Sequence, residues 1–155
     1  MITNFLEDII KVALAELAND PIPIHTLAFY HDHESSAVEI CADTKESSMK
    51  SVRQGNKWAM KYFAKHIRNG EWEDASRFPA NIGRSLSLGD FARVGVARTK
   101  LDPSIVTDDA FYLAMARTLI AHQKEILEMS PVHDEVIFCC SGSENEVELV
   151  WSALE

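Results

Sequence analysis

Phe5, Leu6, Ile9, Ile10, Ala13 and Leu17 recur at three- and four-residue steps, the spacing that gathers side chains on one face of an α-helix. A helix over residues 4–17 is therefore expected, opened by Asn4 with Glu7 three residues on as a capping box and closed near "NDPIP". The pattern then changes period. Ile24 to Tyr30 is rich in β-branched and aromatic residues, and in "AVEICA" Val38 and Ile40 alternate with Ala37, Glu39 and Cys41. Two strands joined through the polar "HDHESS" predict a hairpin.

Asp43 and Glu46 form a second capping-box pattern, and Met49, Val52, Ala59, Met60, Phe63 and Ile67 follow at helical steps up to "RNG". This predicts a long helix with Gly55 as its weak point. Residues 70–104 hold four of the six glycines and two of the prolines, so loops and one short helix are expected there. Beyond Thr107, the residues Phe111, Ala114, Met115, Leu119, His122 and Ile126 share one helical face, and two aspartates suit the positive end of the helix dipole. "EVIFCC" at 135–140 reads as a buried strand turned by "SGS". Ser143 with Glu146, then Val147, Val150, Trp151 and Leu154, predict a short closing helix. The expected fold is α+β: one domain spanning 1–155, with a small, mostly antiparallel sheet (the N-terminal hairpin plus a C-terminal strand) packed with about four helices.

Composition narrows the class. A chain of 155 residues, 46% hydrophobic and 25% charged, is sized for one core, and it holds no run near the ~20 apolar residues that span a bilayer. The N-terminus carries Glu7, Asp8, Lys11 and Glu16 among its apolar residues, unlike a signal peptide, so a cytoplasmic location is expected, with no membrane partner. Cys41, Cys139 and Cys140 have no CxxC spacing and read as buried thiols. The net charge of −9 opposes phosphate-backbone binding, so no nucleic-acid partner is expected. The basic ladder Lys50, Arg53, Lys57, Lys61, Lys65 and Arg68 reads as a solvated helix face, and Trp58, Trp72 and Trp151 as core or core-edge packing.

The candidate chemistry is sparse. His31 and His33, two apart in "FYHDHES", project from one face of a continued strand, as paired metal ligands must; His25, Glu39 or Cys41 would have to supply a third ligand. Asp32 suits a turn that bonds its own backbone. Cys139 or Cys140 with a histidine, or a serine of "CCSGSE", is the alternative nucleophile, but the G-x-S-x-G elbow is absent and thiols beside Phe138 read as inert. Glu144, Glu146 and Glu148 would repel a phosphate from that loop. Acids on expected loops, namely Asp32, Glu34, Glu71, Glu73 and Asp74, stand out instead as candidate partner-binding residues.

The order of features, with "IHTLAFYHDHESSAVEICADT" near the start and "DEVIFCCSGSENEVELVWSAL" at the end, resembles a bacterial family of domains of unknown function, the DUF4303 type. Its members pair a "FAFY"-like strand with a second ending in "NT" or "DT" and finish with a hydrophobic strand, a Ser/Asp-rich turn and an acidic helix. Small acidic domains of this kind are often encoded beside polymorphic toxins. The resemblance thus implies an immunity protein: a non-enzymatic binder, without cofactor, that neutralises a cognate basic protein toxin such as a nuclease. The competing expectations are a metal-dependent or thiol enzyme using His31, His33 and Cys41, and a structural subunit of a larger assembly.

Overall fold

The computed structural model describes residues 1–130 and 135–153. Its elements in chain order are α1 (Ile2–Asn19), β1 (Thr26–Asp32), β2 (Ala37–Asp43), α2 (Lys45–Arg68), the one-turn α3 (Trp72–Ala75), a 3-10 turn at Leu88–Asp90, β3 (Arg93–Lys100), α4 (Asp109–Met129), β4 (Ile137–Cys140) and β5 (Leu149–Ser152). The fold is α+β. The five-stranded sheet runs β3-β2-β1-β4-β5. Three of its pairings are antiparallel, while β1 and β4 run parallel, Thr26 opposite Ile137 and Phe29 opposite Cys140.

Strand alternation gives each sheet face its own core. Leu27, Phe29, Val38, Ile40, Ala42, Ala97, Phe138 and Cys140 meet the buried stripes of α1 (Leu6, Ile10, Leu17) and α4 (Phe111, Met115, Leu119, Ile126). The opposite face is covered by loop: Ala28, Cys41 and Cys139 pack under Leu88 and Phe91. A loop suffices because small side chains on that face leave it shallow. Among the described residues, no helix is long and apolar enough to cross a membrane.

Several expectations need correction. The residues expected to form the closing helix form instead a loop and the edge strand β5, with Phe138 opposite Trp151 and the two rings stacked. Val147, Val150 and Trp151 suit either period, and β4 has backbone groups to satisfy on that side, so tertiary pairing overrides the capping pattern. Leu154 lies outside the described residues. The 70–104 stretch carries β3, hidden in sequence because Arg93, Gly95, Arg98 and Lys100 interrupt its apolar run and the pairing slips between Ile40 and Ala42. Helix starts differ as well. Met1 precedes α1, so Asn4 and Glu7 lie inside it. Thr44, not Asp43, caps α2 by accepting from the Ser47 N–H, and Asp108 caps α4 by accepting from the Phe111 N–H. Asp43 ends β2 and accepts from the Ala92 N–H at 3.0 Å.

α2 passes through Gly55 unbroken, but its apolar row is not a core face: only Ser48 and Ala59 are buried on it. Met49, Met60, Phe63 and Ile67 are exposed, and so are Trp58 at 57% and Trp72 at 78%, contrary to the packing expected of them. Trp58 and Tyr62 instead gather around Phe78 on the surface. His122 is half-buried and ties α4 to α1 through the Glu7 carboxylate at 2.6 Å.

Candidate functional site

Two motifs singled out in sequence, "HDHES" and "SGSENE", meet at the end of the sheet where the parallel strands β1 and β4 both finish. His31 is buried on the helix side of β1, and its backbone N–H donates to the Ser141 hydroxyl at 2.9 Å. The Ser141 hydroxyl in turn donates to the Glu146 carbonyl at 2.6 Å. His33, in the exposed tip, donates from Nε2 to the Gly142 carbonyl at 3.3 Å. The two imidazoles lie 4.2 Å apart between ring centres, with Phe111 and Tyr112 closing the cluster. Gly142 is required here: the Glu148 side chain folds over it so closely that a Cβ would fall 2.8 Å from the Glu148 Cβ, and nearer still to its carboxylate.

A hydrogen bond to Tyr112 holds His31. The Tyr112 O–H lies 2.9 Å from His31 Nδ1, so donation by Tyr112 leaves the proton of neutral His31 on Nε2. Burial, and then the neighbouring His33, lower the pKa of His31 below the ordinary histidine value. The site therefore keeps a neutral, oriented imidazole at neutral pH.

Register separates these histidines from the ligands that a metal reading requires. His31 sits opposite Val38, so Glu39 and Cys41 project from the other sheet face, and His25 precedes the far end of β1. Among the described residues, the one group of three or more His, Cys, Asp or Glu side chains converging closely enough for a metal ion is His66, Glu71 and Asp74, at a different corner.

On the opposite sheet face, Tyr30, Glu39 and Arg98 form a row across three strands. The Arg98 guanidinium bonds buried Glu39 at 2.8 Å and Asp32 at 2.9 Å. Asp32 also accepts from the Glu34 and Ser35 N–H groups, and these bonds, led by Arg98, hold its carboxyl at about 2. Burial, with Glu146, Asp32 and Glu39 nearby, pushes the Tyr30 phenol up to about 12. Asp32 is thus committed to shaping the hairpin tip. Burial also pushes the thiols of Cys41, Cys139 and Cys140 up to about 12, which removes nucleophilic thiolate at neutral pH.

Acidic and apolar groups are accessible at this end, beside exposed His33, Arg98 and Lys100. A cavity of about 200 Å³ is lined by Asp109, Tyr112, Leu113, Gly142, Glu148 and Leu149 among others. Leu113 and Leu149 are exposed, and Glu34, Asp108, Asp109, Glu144, Glu146 and Glu148 stand exposed on the segments that frame it. Of the acids expected to bind a partner, Asp32 and Glu34 belong to this end, whereas Glu71, Glu73 and Asp74 occupy the α2–α3 corner; no hydrogen bond or ion pair among the described residues joins the two groups. The contributions of Tyr112, Ser141, Gly142, Glu148 and Arg98 were not foreseen. The only advance signal for any of them was the small-residue turn after "IFCC".

Charge is segregated along the chain. α2 carries seven Lys and Arg residues against the single acid Glu46, a net +6, which leaves −15 on the remainder for the total of −9. The helix starts at the end of the hairpin opposite the His31–His33 tip. No protein-family model, characterised protein or solved structure matches this chain.

Proposed function

We propose that this protein is a non-enzymatic binder that recognises a basic protein partner with its acid-framed end, in the manner of an immunity protein covering a toxin. The observation that carries this reading is the pairing of exposed Leu113 and Leu149 around a cavity with exposed carboxylates on three separate segments: Glu34, Asp109, and Glu144 with Glu148. Apolar anchors give an interface its affinity, and charges at the rim give it on-rate and selectivity. The +6 helix at the other end of the hairpin makes the molecule dipolar, so an approaching cationic surface is drawn toward the tip and repelled from α2. The titratable groups at the tip serve architecture: His31 is held by Tyr112 and Asp32 by Arg98.

The test is binding and neutralisation of the protein encoded beside this one, with Glu34→Lys and Glu144→Lys as variants. Each reversal is expected to weaken binding at least tenfold at low salt and less at high salt. If the affinity follows Glu71, Glu73 and Asp74 and ignores the tip, the interface lies at the α2–α3 corner and the assignment to the tip is wrong.

A further inference from the structure

The corner between α2 and α3 has a geometry that the binding reading does not use. α2 ends in a Schellman turn: the Gly70 N–H returns to the Ile67 carbonyl at 3.0 Å and the Glu71 N–H to the His66 carbonyl at 2.8 Å, with Gly70 at φ +73. In such a turn the residue after the glycine is folded back onto the one five positions earlier, and that contact is commonly apolar. Here it joins an imidazole to a carboxylate, His66 Nδ1 lying 2.5 Å from Glu71 Oε2. α3 then places Asp74 one turn beyond Glu71, on the same side. One ligand atom from each of His66, Glu71 and Asp74 lies within 4.8 Å of the others.

We propose that His66, Glu71 and Asp74 bind one divalent transition-metal ion of the zinc type, with water completing its coordination. The three side chains are presented by backbone that is already fixed. The Phe78 ring lies nearly parallel to the imidazole, 5.6 Å between centres at 16°, and restrains its plane. A metal would replace the direct His66–Glu71 bond with two metal–ligand bonds of roughly 2.0–2.2 Å. Asp74 must also turn inward. Its present partner, Arg77, is a 3.5 Å pair between half-exposed and exposed groups, the kind that contributes little and is readily given up. Lys65 and Arg68 flank His66 in sequence but project from other sides of the helix, and the C-terminal end of α2 itself favours a cation. One imidazole with two carboxylates, all partly buried, suits zinc, iron(II) or manganese better than magnesium or calcium, which prefer oxygen ligands alone.

The experiment is calorimetric titration of the chelator-stripped full chain with zinc chloride, with magnesium and calcium chloride as comparison ions. One saturable zinc site is expected, with at least a hundredfold weaker binding in His66→Ala and at least tenfold weaker binding in Asp74→Asn. Asp74 is half-exposed, so its variant keeps the test valid should the histidine variant unfold. A lack of saturable zinc binding would show that His66 and Glu71 form only a helix-terminating hydrogen bond. Zinc binding unaffected by either substitution would place the metal elsewhere. Either result overturns the assignment.

Discussion

Replacing Arg98 with alanine exposes how the hairpin tip is built. The substitution leaves the Glu39 carboxylate, only 5% exposed, without its cation, and it also frees Asp32. Removing one partner of a fully buried ion pair costs roughly 3–5 kcal/mol. Arg98 is 41% exposed, so water compensates in part, and a loss of about 2–3 kcal/mol is expected. With a urea m value of about 1.5 kcal/mol/M, this lowers the unfolding midpoint by about 1.5–2 M at pH 7, read by tryptophan fluorescence. Adding Glu39→Gln to the variant removes the uncompensated charge and should restore at least half of the loss. The pH dependence follows from the same contacts. In the native chain Asp32 titrates at about 2, below its unfolded value of about 3.9; its contribution is present above pH 4 and fades as pH falls through 2. That acid-side loss should shrink in Arg98→Ala. If the single variant lost less than about 0.5 kcal/mol, or gained nothing from Glu39→Gln, the buried-pair reasoning would be refuted.

Tyr112→Phe removes the hydroxyl bonded to His31 and should cost about 1–2 kcal/mol in urea unfolding, with little change in circular dichroism. Because the folded-state pKa of His31 is lowered, its contribution to stability is full above about pH 6.5 and declines as pH falls through the folded value. His31→Leu should flatten stability over that range, as a pH series of melts would show. Cys41, Cys139 and Cys140 should resist a thiol reagent at pH 7 in the native protein and all react in denaturant; fast native labelling would contradict their burial. Gly142→Ala should destabilise by about 1–3 kcal/mol, because its new methyl group displaces the Glu148 side chain and strains the loop.

The helices α1, α2 and α4 and the strands β1, β2 and β4 were legible in the residues because each has one dominant hydrophobic period, which for all but α2 is set by packing on the core. β3 was not, since it is an edge strand whose Arg93, Arg98 and Lys100 and whose Gly95 dilute the apolar signal. β5 was misread as a helix: "VELVWSA" satisfies both periods, and only the free edge of β4 decides between them. The apolar row of α2 has the period of a core face but meets no sheet, because the α2–α3 unit packs chiefly on itself and on the 77–87 loop. The candidate site was half visible. His31, His33 and Glu34 drew notice as residue types, whereas Ser141, Gly142 and Tyr112 join them through pairings more than 80 positions apart, which no local pattern encodes.

The central claim, that the acid-framed tip holds a basic protein, is tested most directly by titrating this protein into the product of the neighbouring reading frame at roughly 50 and 200 mM salt, two ionic strengths at which screening of exposed charges differs. A one-to-one complex is expected that suppresses the partner's activity, weakens with salt, and weakens at least tenfold further when Glu34 and Glu144 become lysine. Undiminished affinity in that double variant, or a complex that leaves the partner fully active, would contradict it.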